Sequence, residues 1–130
     1  MHDGISQYRR TQILTASDLQ VILLLYDGAL QASELAQQSI LQNNYSDKAR
    51  FLNRAVGIVS ELSNVLDMER GRDVAVSLRR LYDYVLEELT KANLRHDARH
   101  LDAPIRCLTT LREAWQTVAQ QGAMATAVGG

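Results

Sequence analysis

Glycine and proline are almost absent from the interior of this 130-residue chain. Between Ile5 and Gln121 the sequence holds three glycines and a single proline, Pro104. Sheets need frequent turns, and turns depend on these two residue types, so a β-rich fold is disfavoured. Only 5% of the residues are aromatic, and the helix-favouring residues Ala, Leu, Gln, Glu and Arg dominate. The sequence therefore predicts an all-α domain.

The charge balance and the cysteine content exclude several classes of protein. The formal net charge of −1 gives no electrostatic reason to expect nucleic acid as a partner. The single cysteine, Cys107, cannot form an internal disulfide or a cysteine-based zinc site. No secretory signal is visible, and the longest apolar run, Val21 to Tyr26, is too short to span a membrane. We therefore expect a soluble cytoplasmic protein without membrane insertion.

Apolar residues recur at helical spacing in four stretches that are separated by polar breaks. The predicted helices run from Asp18 to about Gln42, from Asp47 to Arg70, from Asp73 to Leu94, and from Asp102 to Gln121. Gly71 stands where a C-terminal cap is expected, and Pro104 suits a first helical turn. Because short connections imply antiparallel neighbours, we expect an antiparallel up-and-down four-helix bundle over residues 18–121. A mobile N-terminal tail over residues 1–17 and a disordered C-terminal tail over residues 122–130 complete the predicted organisation.

Catalytic and cofactor-binding motifs are not found. No glutamate is followed three residues later by a histidine, which is the motif of di-iron helical bundles. No glycine-rich phosphate loop and no haem-attachment motif occurs. His96 and His100 have a spacing that could bind a metal on a helix, but they fall in a predicted loop. Neither they nor His2 has the exposed helical setting of a histidine phosphotransfer domain, which is kept as an alternative. We therefore expect no metal, no cofactor and no catalytic residue.

The first predicted helix differs from the others because residues 19–26 are apolar almost all round. Such a helix either lies at the centre of the core or carries an apolar face that binds a tail or a partner helix. The residues alone leave both interpretations open. Gly28, which is unfavourable inside a helix, indicates a close backbone approach at that point.

A series of short motifs follows along the chain. They are Tyr8 with Thr15-Ala16-Ser17, then Leu25-Tyr26-Asp27-Gly28-Ala29-Leu30, Leu66-Asp67-Met68-Glu69-Arg70-Gly71, Leu81-Tyr82-Asp83-Tyr84, Ala92-Asn93-Leu94 and Leu111-Arg112-Glu113-Ala114-Trp115. In this order and spacing they resemble the flagellin-specific export chaperones of the FliS family, over about Tyr8 to Val118. One departure is Asp18, which stands where the family commonly has proline. Either residue suits a first helical turn.

The resemblance implies a cytoplasmic chaperone of type III flagellar export that is not an enzyme and uses no cofactor. It implies binding of the disordered C-terminal segment of flagellin in hydrophobic grooves, which would prevent premature polymerisation and aid delivery to the export gate. An export-gate component and flagellar regulators are further expected partners. A generic helical-bundle interaction adaptor is the alternative function, and a homodimer stays open because such bundles can swap helices.

In this family the N-terminal tail can fold back on the bundle near the client site, so the tail and the first helix supply most candidate contacts. The candidate flagellin- or tail-binding residues are Tyr8, Ile13, Leu19, Ile22, Tyr26, Asp27, Gly28, Tyr82 and Tyr84.

Overall fold

The computed structural model of the chain describes the backbone of residues 16–129 and the side chains of residues 18–121. The α-helices of this part of the chain are α1 (Ala16–Leu41), α2 (Tyr45–Asn64), α3 (Met68–Arg95) and α4 (Asp102–Gly129). A short 3-10 helix, Ala98–Leu101, leads into α4. No strand occurs among these residues. The predicted all-α helical bundle is therefore confirmed.

Short connections determine how the helices are arranged. Residues 42–44 join α1 to α2, and residues 65–67 join α2 to α3, so consecutive helices run antiparallel. Helix α1 packs against α2 and α4, and α3 packs against the same two helices, which places α1 and α3 on a diagonal of the bundle. Small and branched apolar side chains from all four helices fill the centre, including Ala29, Ala36, Leu52, Val59, Leu62, Val85, Leu89 and Leu108.

Polar side chains fix where the helices begin. The Asn44 side-chain oxygen accepts a hydrogen bond from the backbone N–H of Asp47 at 3.0 Å and caps α2. The Asp67 carboxylate accepts from the backbone N–H groups of Glu69 and Arg70, both at 3.2 Å, and caps α3. Each cap satisfies amides that have no partner inside their own helix.

The predicted boundary between the second and third helices is wrong. Helix α2 ends at Asn64, six residues before the predicted end at Arg70, and Gly71 lies inside α3 instead of capping α2. The physical reason is the Asp67 cap, which starts a new helix within the stretch that was expected to continue the old one. Arg72 then interrupts α3 with φ 45° and ψ −120°, so the predicted start at Asp73 marks only the regular part of this helix.

The two ends of the described chain also differ from the sequence-based expectation. Helix α1 begins at Ala16, two residues before the predicted start. Helix α4 extends to Gly129, past the predicted helix end at Gln121, and the disorder expected for residues 122–130 stays a prediction. This stretch contains several alanines, which have the highest helix propensity of the natural residues. Within the described residues no helix is long and apolar enough to cross a membrane.

Candidate functional site

An apolar groove of about 190 Å³ opens at one end of the bundle. All four helices contribute to it: the first half of α1, the last turn of α2, the beginning and middle of α3 and the middle of α4. The lining residues are Ile22, Leu62, Val65, Leu66, Asp67, Arg70, Gly71, Val74, Ala75, Leu78, Tyr82 and Trp115. Most of these side chains are apolar, and the charged ones, Asp67 and Arg70, come from the beginning of α3 and its connection to α2.

The rim of the groove exposes large apolar side chains to solvent. Val74 on α3 is 67% exposed, and Val65 at the end of α2 is 53% exposed. Isolated exposed aliphatic residues are common, but these two flank a concave apolar surface that also contains Ile22. The arrangement suits an apolar side chain or helix face from outside the bundle.

A buried hydrogen-bonded cluster of aromatic residues supports the groove from beneath. The hydroxyl groups of Tyr26 on α1 and Tyr82 on α3 lie 2.5 Å apart across the diagonal of the bundle. The indole Nε1 of Trp115 on α4 donates to the Tyr26 hydroxyl at 3.2 Å. Burial raises the pKa of both tyrosines above the ordinary value of 10.0, so both hydroxyls stay protonated near neutral pH. The cluster ties three helices together directly under the groove.

The opposite end of the bundle is closed by polar contacts. The buried Lys48 Nζ donates to the Asn93 carbonyl at 3.1 Å, and the Tyr45 ring stacks on His96 with centroids 4.1 Å apart. Gln37 Nε2 donates to the Ala98 carbonyl at 3.0 Å. These contacts join the ends of the helices there. One end of the bundle is therefore closed by polar and stacking contacts, whereas the other end carries the apolar groove.

The structure places the predicted site residues in several different environments. Ile22 lines the groove, and so does Tyr82, although Tyr82 is almost completely buried. Leu19 and Tyr26 belong to the buried interior, and Tyr84 lies on the exposed side of α3, outside the groove. The structure therefore supports the core interpretation for much of the first helix, while Ile22 lies in the apolar groove.

Tyr8 and Ile13 lie outside the described residues. Their role in binding, like that of the other candidate residues, stays a prediction.

Asp27 has a partner within the bundle. Its carboxylate accepts hydrogen bonds from the Arg112 guanidinium on α4, one of them from Nη2 at 3.5 Å, and the neighbouring carboxylate raises the pKa of Arg112. Asp27, one of the candidate binding residues, thus joins α1 to α4.

Gly28 marks a close approach, as its position inside a helix indicated. A Cβ atom at Gly28 would lie 3.1 Å from Cδ1 of Ile58 on α2. The approach is therefore between two helices of the bundle.

Sequence reasoning missed the wall of the groove that is formed by residues 65–71. The apolar spacing of this stretch predicted that the second helix continues to Arg70. Leu66 and Arg70 were therefore interpreted as residues inside that helix, with no sign that they line a groove. The structure packs Trp115 against the core and also places it at the groove, with its indole N–H bonded to Tyr26. The signal that could have identified the wall is the Asp67 side chain, which can cap a new helix.

The remaining reactive side chains are engaged in structural contacts. His96 ends α3 in a left-handed conformation, and the ring nitrogen Nδ1 of His100 lies 2.7 Å from a carboxylate oxygen of Glu88. Burial raises the pKa of the Cys107 thiol, which makes it a poor nucleophile. Among the residues with described side chains, no group of three histidine, cysteine or acidic residues could hold a metal ion.

Comparison with known proteins relates the chain to one family. The model of the family described as "Flagellar protein FliS" matches residues 1–122. The flagellar secretion chaperone FliS of Salmonella typhimurium is 33% identical over 88% of this chain and 89% of the relative. The chaperone of the same name from Bacillus subtilis is 30% identical over 87% of this chain and 84% of the relative. The one from Vibrio cholerae is 28% identical over 91% of this chain and 90% of the relative.

Proposed function

Because the chain belongs to the FliS family of flagellar proteins, we propose that it is a flagellar export chaperone that holds its client in the apolar groove. The client we propose is the C-terminal segment of flagellin, bound as short amphipathic helices. This role is non-enzymatic. It matches the secretion-chaperone role for which the relatives are named.

The observation that carries the proposal is the combination of an apolar groove with an exposed apolar rim. Ile22 and Leu78 lie inside the groove, while Val65 and Val74 present their side chains to solvent at its edge. An amphipathic helix buries residues at spacings of three and four in such a groove. Burying one aliphatic side chain contributes about 1.5–3 kcal/mol, whereas micromolar binding requires about 8 kcal/mol in addition to the costs of association and of ordering the segment. We therefore expect a long segment with many apolar anchors to be bound.

Moderate affinity is what an export chaperone requires, because the client must later be released. Ordering a disordered segment on binding costs about 2–5 kcal/mol of the gross interaction energy. The groove contains few charges, and the net charge of the chain is −1, so binding depends mainly on apolar burial. We expect only weak salt dependence of the affinity.

The N-terminal tail is proposed as a competitor for the same groove. Helix α1 begins at Ala16, and Ile22 lies on its second turn, so the tail joins the bundle at the end where the groove opens. Fifteen extended residues span at most about 50 Å, which is enough to reach any part of the groove. Apolar residues of the tail, Tyr8 and Ile13 among them, would occupy the groove until flagellin displaces them.

Removing the tail tests this competition. A chain that lacks residues 1–15 is expected to bind the flagellin segment more tightly than the full chain, because no displacement is needed. Equal affinities of the two chains, measured by isothermal titration calorimetry, would rule out competition by the tail.

The binding proposal is tested with a fragment of the flagellin C-terminus and the full chain. We expect micromolar or tighter binding by calorimetry, accompanied by an increase in helical circular dichroism beyond the sum of the two components. Absence of binding at micromolar concentrations would overturn the proposal and favour a general helical-bundle adaptor.

A pair of matched variants locates the binding surface. Val74→Glu places a charge at the rim of the groove, and Leu94→Glu places the same charge on the last turn of α3, at the other end of the bundle. Both wild-type side chains are largely exposed, at 67% and 80%, so neither change should unfold the bundle. Val74→Glu should weaken flagellin binding at least tenfold, because a carboxylate at the rim would lose water against the apolar face of the client. Equal affinities of the two variants would exclude the groove as the site.

We further propose that the chaperone acts in the cytosol and presents flagellin to a component of the type III export gate. Flagellar regulators are proposed as additional partners. The exposed surface away from the groove, including Tyr84, is where such partners could bind without displacing the client.

A further inference from the structure

One wall of the groove is attached to the bundle through a strained residue. Arg72 has φ 45° and ψ −120°, a combination that side chains with a Cβ atom rarely adopt. Such a conformation is disfavoured by a factor of about 5 to 150 and persists only where surrounding contacts impose it. Asp67, Arg70 and Gly71, the residues just before it, line the groove. The strain therefore lies at the junction between this wall and the regular part of α3.

Gly71 shows that the wall is held close to the rest of α3. A Cβ atom at this position would lie only 2.6 Å from the Cβ atom of Ala75. In an uninterrupted helix the Cβ atoms of residues four apart are about 5–6 Å from each other. The turn Met68–Gly71 is thus folded against the next turn through the bend at Arg72, and only glycine fits there without displacement.

A second conformation of the same segment is accessible on physical grounds. If Arg72 took ordinary helical angles, α3 would run straight from Met68 to Arg95, and Asp67 would still cap its first turn. Straightening would relieve the strain at Arg72, a factor of about 5 to 150, and would give up the contacts that impose the bent conformation. These opposing effects make the straight form an accessible alternative to the bent one.

We propose that Arg72 is the pivot of a movable groove wall, residues 65–71, and that the client binds the form in which α3 is straight. This inference rests on the proposed function for the identity of the client. The volume of about 190 Å³ in the bent form is below the range of about 300–1,000 Å³ that is common for ligand pockets. Outward movement of the wall would enlarge the groove for a helix face. Among the described residues that line or adjoin the groove, Arg72 is the non-glycine residue with positive φ.

Two neighbouring substitutions are expected to shift the equilibrium between the bent and straight forms in opposite directions. Arg72→Gly removes the strain of the bent form and should weaken binding of the flagellin C-terminal fragment about tenfold, because the binding-competent form becomes rarer. Gly71→Ala cannot fit the bent form and should strengthen binding severalfold. Both dissociation constants are measured by calorimetry on the full chain.

Two control substitutions separate the pivot from other effects. Gly57→Ala makes the same chemical change as Gly71→Ala at a helical glycine with no heavy atom within 4 Å of the added Cβ, and should leave the affinity unchanged. Arg72→Ala removes the guanidinium but keeps a Cβ atom, so it should bind like the wild type. If Arg72→Ala weakened binding as much as Arg72→Gly, the side chain would be responsible and the pivot would be refuted.

Trp115, the single tryptophan, reports the state of the wall without any client, because it lines the groove opposite this segment. Its emission maximum should shift in opposite directions in Arg72→Gly and Gly71→Ala. If the wild type failed to bind flagellin while these shifts occurred, the proposed client would be wrong and the pivot would stand. Identical emission spectra in the two variants, or a change of affinity in the same direction, would overturn the pivot.

Discussion

The buried cluster of Tyr26, Tyr82 and Trp115 allows a sharp test of how the bundle is held together beneath the groove. Tyr26→Phe removes the acceptor of the Trp115 N–H and the partner of the Tyr82 hydroxyl. Leaving a buried hydroxyl without a partner costs about 1–3 kcal/mol, and the half-buried indole bond adds about 0.5–1.5 kcal/mol. The expected loss in the free energy of unfolding is therefore about 2–4 kcal/mol.

The companion variant Tyr82→Phe should be less harmful. It breaks the bond between the two hydroxyls but leaves Tyr26 accepting from Trp115, so we expect a loss of about 1–2 kcal/mol. The double variant should lose no more than Tyr26→Phe alone, because it leaves no buried tyrosine hydroxyl without a partner. The two substitutions are therefore expected to be strongly non-additive.

Urea unfolding of the two single variants and the double variant measures these differences. The unfolding of a domain of this size is expected to be two-state, followed by far-UV circular dichroism and by Trp115 emission. Tyr84→Phe makes the same chemical change at a tyrosine that is 42% exposed, and it should alter stability by less than about 0.5 kcal/mol. Losses that simply add, or equal losses in the two single variants, would refute the reasoning.

Three further predictions follow from the same contacts. Burial raises the pKa of both clustered tyrosines above 10.0, so on raising the pH the unfolded chain releases their protons before the folded chain does. The free energy of unfolding, measured by urea titration, should therefore fall above about pH 10, and it should fall less in the variant with both tyrosines replaced by phenylalanine. Gly57→Ala, with open space around the new Cβ, should stabilise the protein by about 0.5–1 kcal/mol, whereas Gly28→Ala should stabilise it less, because its Cβ would lie 3.1 Å from Ile58. A larger gain for Gly28→Ala in thermal unfolding would contradict this packing. Asp27→Asn should cost under about 1 kcal/mol, since its ion pair with Arg112 is exposed, and a loss above 2 kcal/mol in urea would show that this pair is worth far more than an ordinary surface ion pair.

Local sequence signals predicted most of the fold because they agree with the packing. The starts of the second and fourth helices lie within two residues of the predicted ones, where Asp47 belongs to the first turn of α2 and Asp102 begins α4. The apolar spacing of α1 could not separate Tyr26, which is completely buried, from Ile22, which lines the groove. Both lie on one face, and only the position of the neighbouring helices decides which of them is covered.

The same limit applies to the segment around Gly71, where two local rules compete. A glycine after an apolar helical stretch is typical of a C-terminal cap, whereas an aspartate four residues earlier is typical of an N-terminal cap. In the structure the Asp67 cap prevails, and the left-handed residue is Arg72 instead of the glycine beside it. Placing the strain on a residue that tolerates it poorly raises the free energy of the bent form relative to a straight α3. A segment whose local signals compete in this way is suited to the movable groove wall that we propose.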